Sequence, residues 1–213
     1  MDKKHAFQLA ISQPIITSTF LGFLMGAMAP AMYFGLLVQL LWLGNLPFGA
    51  SKTPEGNIAS VVGCWLYINY HGLYTEHGHL ILLILFIYIV IISFIASKTE
   101  TYLRNMNVHF FDKVYESVSD QSISKIGRVI FEALAIQLLA NWIIILAGLL
   151  LGQFILQNLL GYISADLADL WQFVEVAIWG VGVGLVLSVY KDIKLKKIIT
   201  GIALITFITL WVM

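Results

Sequence analysis

Long apolar runs alternate with short polar ones along the whole chain. Apolar residues dominate 14–28, 30–44, 57–70, 80–96, 129–151, 171–190 and 198–213, and the polar residues collect between them. None of these runs shows the strict alternation of a half-buried strand, so each reads as a helix. At about 1.5 Å per residue the first two reach only about 22 Å, short of the roughly 30 Å hydrocarbon core of a bilayer. Pro30 stands at their joint, where a fixed φ and a missing N–H suit the first turn of a new helix. The pattern therefore predicts a tight hairpin at 14–44. Either the three short runs before residue 71 all cross, or two of them form a re-entrant hairpin beside one crossing. Gly22 and Gly26 form a small-xxx-small pair that permits close packing between helices in lipid.

The polar break at 45–56, with Gly and Pro punctuation, stands between two apolar runs in the stretch GLLVQLLWLGNLPFGASKTPEGNIASVVG, residues 35–63. Irregular backbone at membrane depth is tolerated only where protein or a water-filled cavity satisfies its amides and carbonyls. Short apolar segments broken in this way are the sequence mark of a transporter's substrate site. This loop is the first candidate for a binding site. A second polar break at 153–170 occupies a matching place in the other half and hints at a weak internal repeat.

Composition fixes the solvent. Of 213 residues, 60% are hydrophobic and 11% charged, and the mean hydropathy is +0.89. A soluble domain would carry about a quarter charged residues. The chain is thus expected to be an all-α polytopic membrane protein of about six or seven transmembrane or re-entrant helices, forming one membrane domain over 1–213. Twelve basic and twelve acidic residues balance to zero net charge, which removes any case for nucleic-acid binding. The single Cys64 cannot form an intrachain disulfide.

Lys98, Arg104, Lys113, Lys125 and Arg128 cluster in 97–128, which the positive-inside rule places in the cytoplasm. Tyr102, Met106, Phe110, Phe111, Val114, Tyr115 and Val118 recur there at helical spacing. The expectation is an amphipathic helix lying at the membrane surface after a spanning helix that ends near Ala96. The 153–170 stretch has Asp166 and Asp169 but no Lys or Arg, so it is expected outside, with Glu175 read as part of an acidic rim. The block 191–197, KDIKLKK, is expected inside.

The run PIITSTFLGFLMGAMAPAMYFGLLVQLLWLGNLPFGASKTPEGNIASVV, residues 14–62, resembles the N-terminal part of the enzyme IIC membrane subunit of the mannose/fructose/sorbose phosphotransferase family. The likeness rests on a Pro followed by an apolar LxGxxxG segment, a GxxxQLxxLG helix end, and a GA loop with a Pro-acid pair before an NIAS helix. It continues more loosely through 134–190. The resemblance implies group translocation of a hexose in the bacterial inner membrane. The subunit would pair with a IID membrane subunit in a hetero-oligomer, and cytoplasmic IIB, charged through IIA and HPr, would phosphorylate the sugar. Family IIC proteins carry no phosphohistidine, so no catalytic residue is expected in this chain.

A neutral sugar needs hydrogen-bonding amides and carboxylates beside a flat apolar surface. The loop and its flanks offer Gln39, Asn45, Ser51, Lys52, Glu55 and Asn57, with Trp42 nearby, and these are the expected substrate residues. Two of them depart from the family's usual pattern: Gln39 stands where an acid is usual, and Lys52 where a small or apolar residue is usual. Cytoplasmic IIB would have 97–128 as its docking surface.

Plainer readings stand beside these. Lys52 and Glu55 make an ordinary surface ion pair equally well, and Gln39 can hydrogen-bond a neighbouring helix. Glu132, Gln137 and Asn141 fit either a pathway lining or interhelical bonding. The six tryptophans lie mostly near helix ends, as an aromatic belt would place them. His71, Glu76, His77 and His79 are the one metal-like cluster, but on a water-facing turn such residues are ordinarily solvated, so no metal and no cofactor is expected. With no GxSxG, HExxH, P-loop or CxxC, the rival to a sugar permease is a regulatory or structural membrane partner of the same system. A membrane metallohydrolase built on the His loop is a weaker third.

Overall fold

The computed structural model describes residues 13–43, 56–74, 77–119, 123–160, 162, 165–189 and 200–201. These residues contain no strand. They form α1 (Pro14–Leu24), α2 (Met28–Trp42), α3 (Gly56–Leu73), α4 (Gly78–Ser119), α5 (Ile123–Leu159), a short 3-10 turn (Ala165–Asp169) and α6 (Leu170–Val189). The expected all-α polytopic class is what is found. By length and composition α4, α5 and α6 can each cross a membrane.

Pro14 opens α1 and needs no acceptor, while the Gln13 carbonyl takes the N–H groups of Ile16 and Thr17. The helix lasts three turns. Gly26 then adopts φ +69°, a left-handed conformation that costs an L residue about 1–2 kcal/mol. The Ala27 N–H closes the turn on the Gly22 carbonyl at 2.8 Å, and Pro30 falls in the first turn of α2 as its fixed φ requires. The hairpin is antiparallel and tight. A Cβ placed on Gly22 would lie 2.2 Å from that of Ala31, and one on Gly35 would lie 2.6 Å from that of Ser18. Gly22 is thus a packing residue, whereas Gly26 serves the turn.

Both open ends of this hairpin lie at the start of α3. The Thr17 hydroxyl meets that of Ser60 at 3.1 Å, and the Trp42 ring lies over Gly56. Eleven and fifteen residues extend about 16 and 22 Å, so neither helix spans the hydrocarbon core alone. The pair is a short antiparallel hairpin packed against α3.

Helix α3 is the centre of the bundle and touches α1, α2, α4 and α5. Its core face carries Ile58, Ala59, Val62, Leu66, Tyr67 and Tyr70, all buried. Three glycines bring backbones together here. Gly63 faces Ile89 and Phe34, Gly148 faces Val62, and Gly152 faces Leu66 and Tyr88. In lipid, where apolar contact alone gives no preference for a neighbouring helix over acyl chains, such close approach and interhelical hydrogen bonds supply the association. The Tyr88 hydroxyl donates to the Gly148 carbonyl and the Tyr70 hydroxyl to that of Gln153.

Two expectations are revised. The spanning helix does not end near Ala96: α4 runs unbroken for 42 residues, about 63 Å, and α5 returns antiparallel beside it. Residues 97–119 are therefore the continuation of the helix that begins at Gly78, not a separate helix. Hydropathy falls at Ser97, but Lys98–Ser119 contains no Gly or Pro, so nothing ends the helix. Likewise α5 extends to Leu159, leaving a much shorter connection than the 153–170 loop expected.

Candidate functional site

The polar residues near the break between α2 and α3 come from three helices. Gln39 lies one turn before the end of α2, Asn57 in the first turn of α3, and Thr17 near the start of α1. Trp42 ties them together by covering Gly56, its ring 3.2 Å from where a Cβ would be. The Ser60 hydroxyl lies 2.7 Å from the Asn57 carbonyl and 3.1 Å from the Thr17 hydroxyl. The backbone at this end is thus fastened by short polar contacts, and the two amides are left over. Gln39 Oε1 and Asn57 Oδ1 are buried and have no hydrogen-bond partner among the described residues.

An unsatisfied buried acceptor costs about 1–3 kcal/mol. Two of them at one end of three packed helices form a site that hydroxyl donors would satisfy. Asn45, Ser51, Lys52 and Glu55 lie outside the described residues. The structure therefore bears on Gln39 and Asn57 alone, and it sets both at the same end of the bundle.

A second polar group sits deeper along the same helices. The Tyr33 hydroxyl on α2 lies near the Glu175 carboxylate and the Trp171 indole, both on α6. Tyr67 on α3 stands in the field of the same carboxylate. The Trp171 N–H, wholly buried, has no hydrogen-bond partner among the described residues. Around this group the aromatic rings pack in series: Tyr67 stacks on Phe34 at 5.5 Å, Phe34 meets Phe86 at 5.5 Å, and Phe86 meets Trp171 at 5.1 Å between centroids.

The sequence missed this second group. Glu175 was read as part of an outside acidic rim, yet it is half-buried and faces two tyrosines; Trp171 was read as belt and is 0% exposed. The available signal was a carboxylate one turn inside an apolar 20-residue helix, where an ionisable residue is a functional candidate by default.

The other polar candidates separate from the site. Gln137 lines a groove of about 410 Å³ between the outer halves of α4 and α5, together with Glu100, Arg104, Phe110, Phe111 and Leu134. Glu132 is exposed. His71 packs edge-on to Tyr67 at 5.1 Å, and among the described residues no three His, Cys, Asp or Glu side chains gather into a metal-holding set. Glu76 lies outside them.

Comparison with known proteins places this architecture. The family model described as "PTS system sorbose-specific iic component" matches residues 1–213. No curated protein matches the chain. A solved structure described as "Structure of membrane protein" aligns with a TM-score of 0.68 at 15% identity, covering 94% of this chain and 85% of that one. At that identity the likeness is one of fold.

Proposed function

Because the chain belongs to the sorbose-specific IIC family of the phosphotransferase system, we propose that it carries a hexose across the bacterial inner membrane as IIB phosphorylates the sugar. Family membership makes it a membrane component and a sugar-transporter subunit. The choice of hexose, the coupling to IIB, and the pairing with IID in one hetero-oligomer charged through IIA and HPr belong to the proposal, as does the treatment of 1–213 as one membrane domain.

The observation that carries the reading is the pair of orphaned acceptors, Gln39 Oε1 and Asn57 Oδ1. A hexose presents several hydroxyl donors on a ring with an apolar face. Two amide oxygens beside Trp42 match that chemistry, and an amide at residue 39 can accept from one hydroxyl while donating to another. Asn45, Ser51, Lys52 and Glu55 complete the proposed substrate set from the loop. A charged Lys52 among them favours sugars with a hydroxyl oriented to accept from an ammonium. The phosphoryl group stays on the soluble partners, so this chain supplies the binding site and the passage.

The test is phosphoenolpyruvate-dependent uptake of labelled hexoses in vesicles containing this chain, its IID partner and the soluble components. Gln39→Ala and Asn57→Ala are expected to raise KM about tenfold or more at normal membrane levels, the loss of one or two substrate hydrogen bonds. Absence of uptake of any hexose by the unaltered chain, with active partners present, would replace this reading with the regulatory one.

A further inference from the structure

We propose that the apolar side of the hairpin made by the charged half of α4 and the start of α5 is a self-association surface, against which a second copy of this chain packs. The proposal is independent of the choice of sugar and of its ligands.

The charged half of α4 reaches water. Its 42 residues extend about 63 Å, and even a tilt of about 40° leaves about 48 Å across a bilayer whose core is about 30 Å. Gly78–Ser97 holds no Asp, Glu, Lys or Arg and Lys98–Ser119 holds six, so the end outside hydrocarbon is the charged one. There α4 has distinct sides. Leu103 is buried and Phe110 half-buried towards α5. Asn105, His109 and Asp112 form an exposed polar stripe. Val108, Phe111, Tyr115 and Val118 form an apolar stripe, 57–70% exposed. Their spacing of three, four and three is the a/d alternation of a coiled coil, kept over two heptads.

Helix α5 extends the same side. Phe111 lines the groove between the two helices together with Ile130 and Leu134, which are 51% and 38% exposed. The groove runs from Glu100 to Val114 along α4, about 21 Å, and a groove between two helices is a seat for the ridge of a third.

Area, charge and symmetry point to a second copy as the occupant. With about 200 Å² for a whole aromatic side chain and about 100 Å² for an aliphatic one, these six residues leave about 500 Å² of apolar surface open. A standard interface needs about 800 Å² per partner, a little over half of it apolar, so the patch is large enough, and it stands at the upper end of what a monomer leaves uncovered. The charge on this side is one of each sign, Glu100 and Arg104, 3.4 Å apart. It gives a strongly acidic or basic soluble partner nothing to complement, and it lets two identical surfaces meet without net repulsion. Two copies in one bilayer share one orientation. A twofold axis along the membrane normal therefore sets identical residues at identical heights, and the α4 stripe of each copy enters the groove of the other.

The experiment is oxidative cross-linking in membranes that contain the full chain, carried as two differently tagged copies, with its partner subunit and soluble components present. In a Cys64→Ser background, which removes the native thiol, Val108→Cys and Phe111→Cys are expected to join the two tagged copies at least about tenfold faster than His109→Cys on the polar stripe. Equal rates on the two stripes would mean random collision and would overturn the proposal. So would the absence of a self-adduct, the result if the bilayer covers this side, or an adduct at 108 and 111 to another subunit in its place. Phe111 is 69% exposed, so Phe111→Asp leaves the fold intact. It is expected to lower co-purification of the two tagged copies in mild detergent at least about tenfold, and His109→Asp to leave it unchanged. Undiminished co-purification of Phe111→Asp would count against the surface as decisively as a failed cross-link.

Discussion

Replacing Gly22 by Ala tests the hairpin at its tightest point. The added Cβ would lie 2.2 Å from Ala31 Cβ, 2.9 Å from the Ala27 carbonyl oxygen and 3.2 Å from Met28 Cα. Carbon atoms in good contact stand about 3.5–4.0 Å apart, so α1 and α2 must separate by more than about 1 Å. Every blocking atom is backbone or a Cβ, and none can swing away. Overpacking of this kind costs about 1–3 kcal/mol, against about 0.5–1 kcal/mol gained from Ala over Gly inside a helix. The expected net loss is about 0.5–2 kcal/mol, roughly 2- to 30-fold in the unfolding equilibrium. Equilibrium unfolding of the purified protein in mixed micelles, followed by tryptophan fluorescence, measures it. Ala31→Gly removes the nearest atom, so the double variant Gly22→Ala/Ala31→Gly is expected to be more stable than the sum of the single effects by about 1 kcal/mol. Additive effects would show that the two residues do not meet and would refute the hairpin geometry.

Three further expectations follow from the same structure. Gly26→Ala meets no atom within 4 Å but must adopt φ +69°, so it is expected to lose about 1 kcal/mol and Gly26→Asn less, in the same unfolding assay. Gln39→Leu removes an orphaned acceptor and is expected to gain about 1 kcal/mol in stability while transport falls; a destabilised variant would mean that the amide is bonded within the protein. Tyr88→Phe breaks the bond to the Gly148 carbonyl between α4 and α5 and is expected to cost about 0.6–1.7 kcal/mol, with an unchanged unfolding midpoint counting against that contact.

What the sequence revealed and what it hid divide along a physical line. Signals that act on the local backbone were legible. Pro14 and Pro30 open helices, and α2 ends and α3 begins where the Gly- and Pro-rich break starts and stops; Gly26, read as half of a packing pair, instead turns the chain. Polarity, by contrast, reports solvent rather than backbone. The fall in hydropathy at Ser97 was read as the end of a helix that in fact continues; Gln153, Gln157 and Asn158 misled in the same way at the end of α5. Gln39 and Asn57 were picked out from the break in the helices, and the structure sets both at the same end of the bundle. The neighbours of Glu175 come from α2 and α3, about 140 and 110 positions away in the chain, and no local pattern announces a pairing that tertiary packing creates.

The length of α4 has a mechanical consequence. No Gly or Pro interrupts His79–Ser119, and kinks need such a residue or an inserted group, so the helix acts as a stiff lever. Its apolar half is packed on α3 and its polar half on α5, and the helix is about 33 Å longer than a bilayer core of about 30 Å. Rocking α4 with its partner α5 by about 10° swings the far end by about 6 Å, about the pitch of one helical turn.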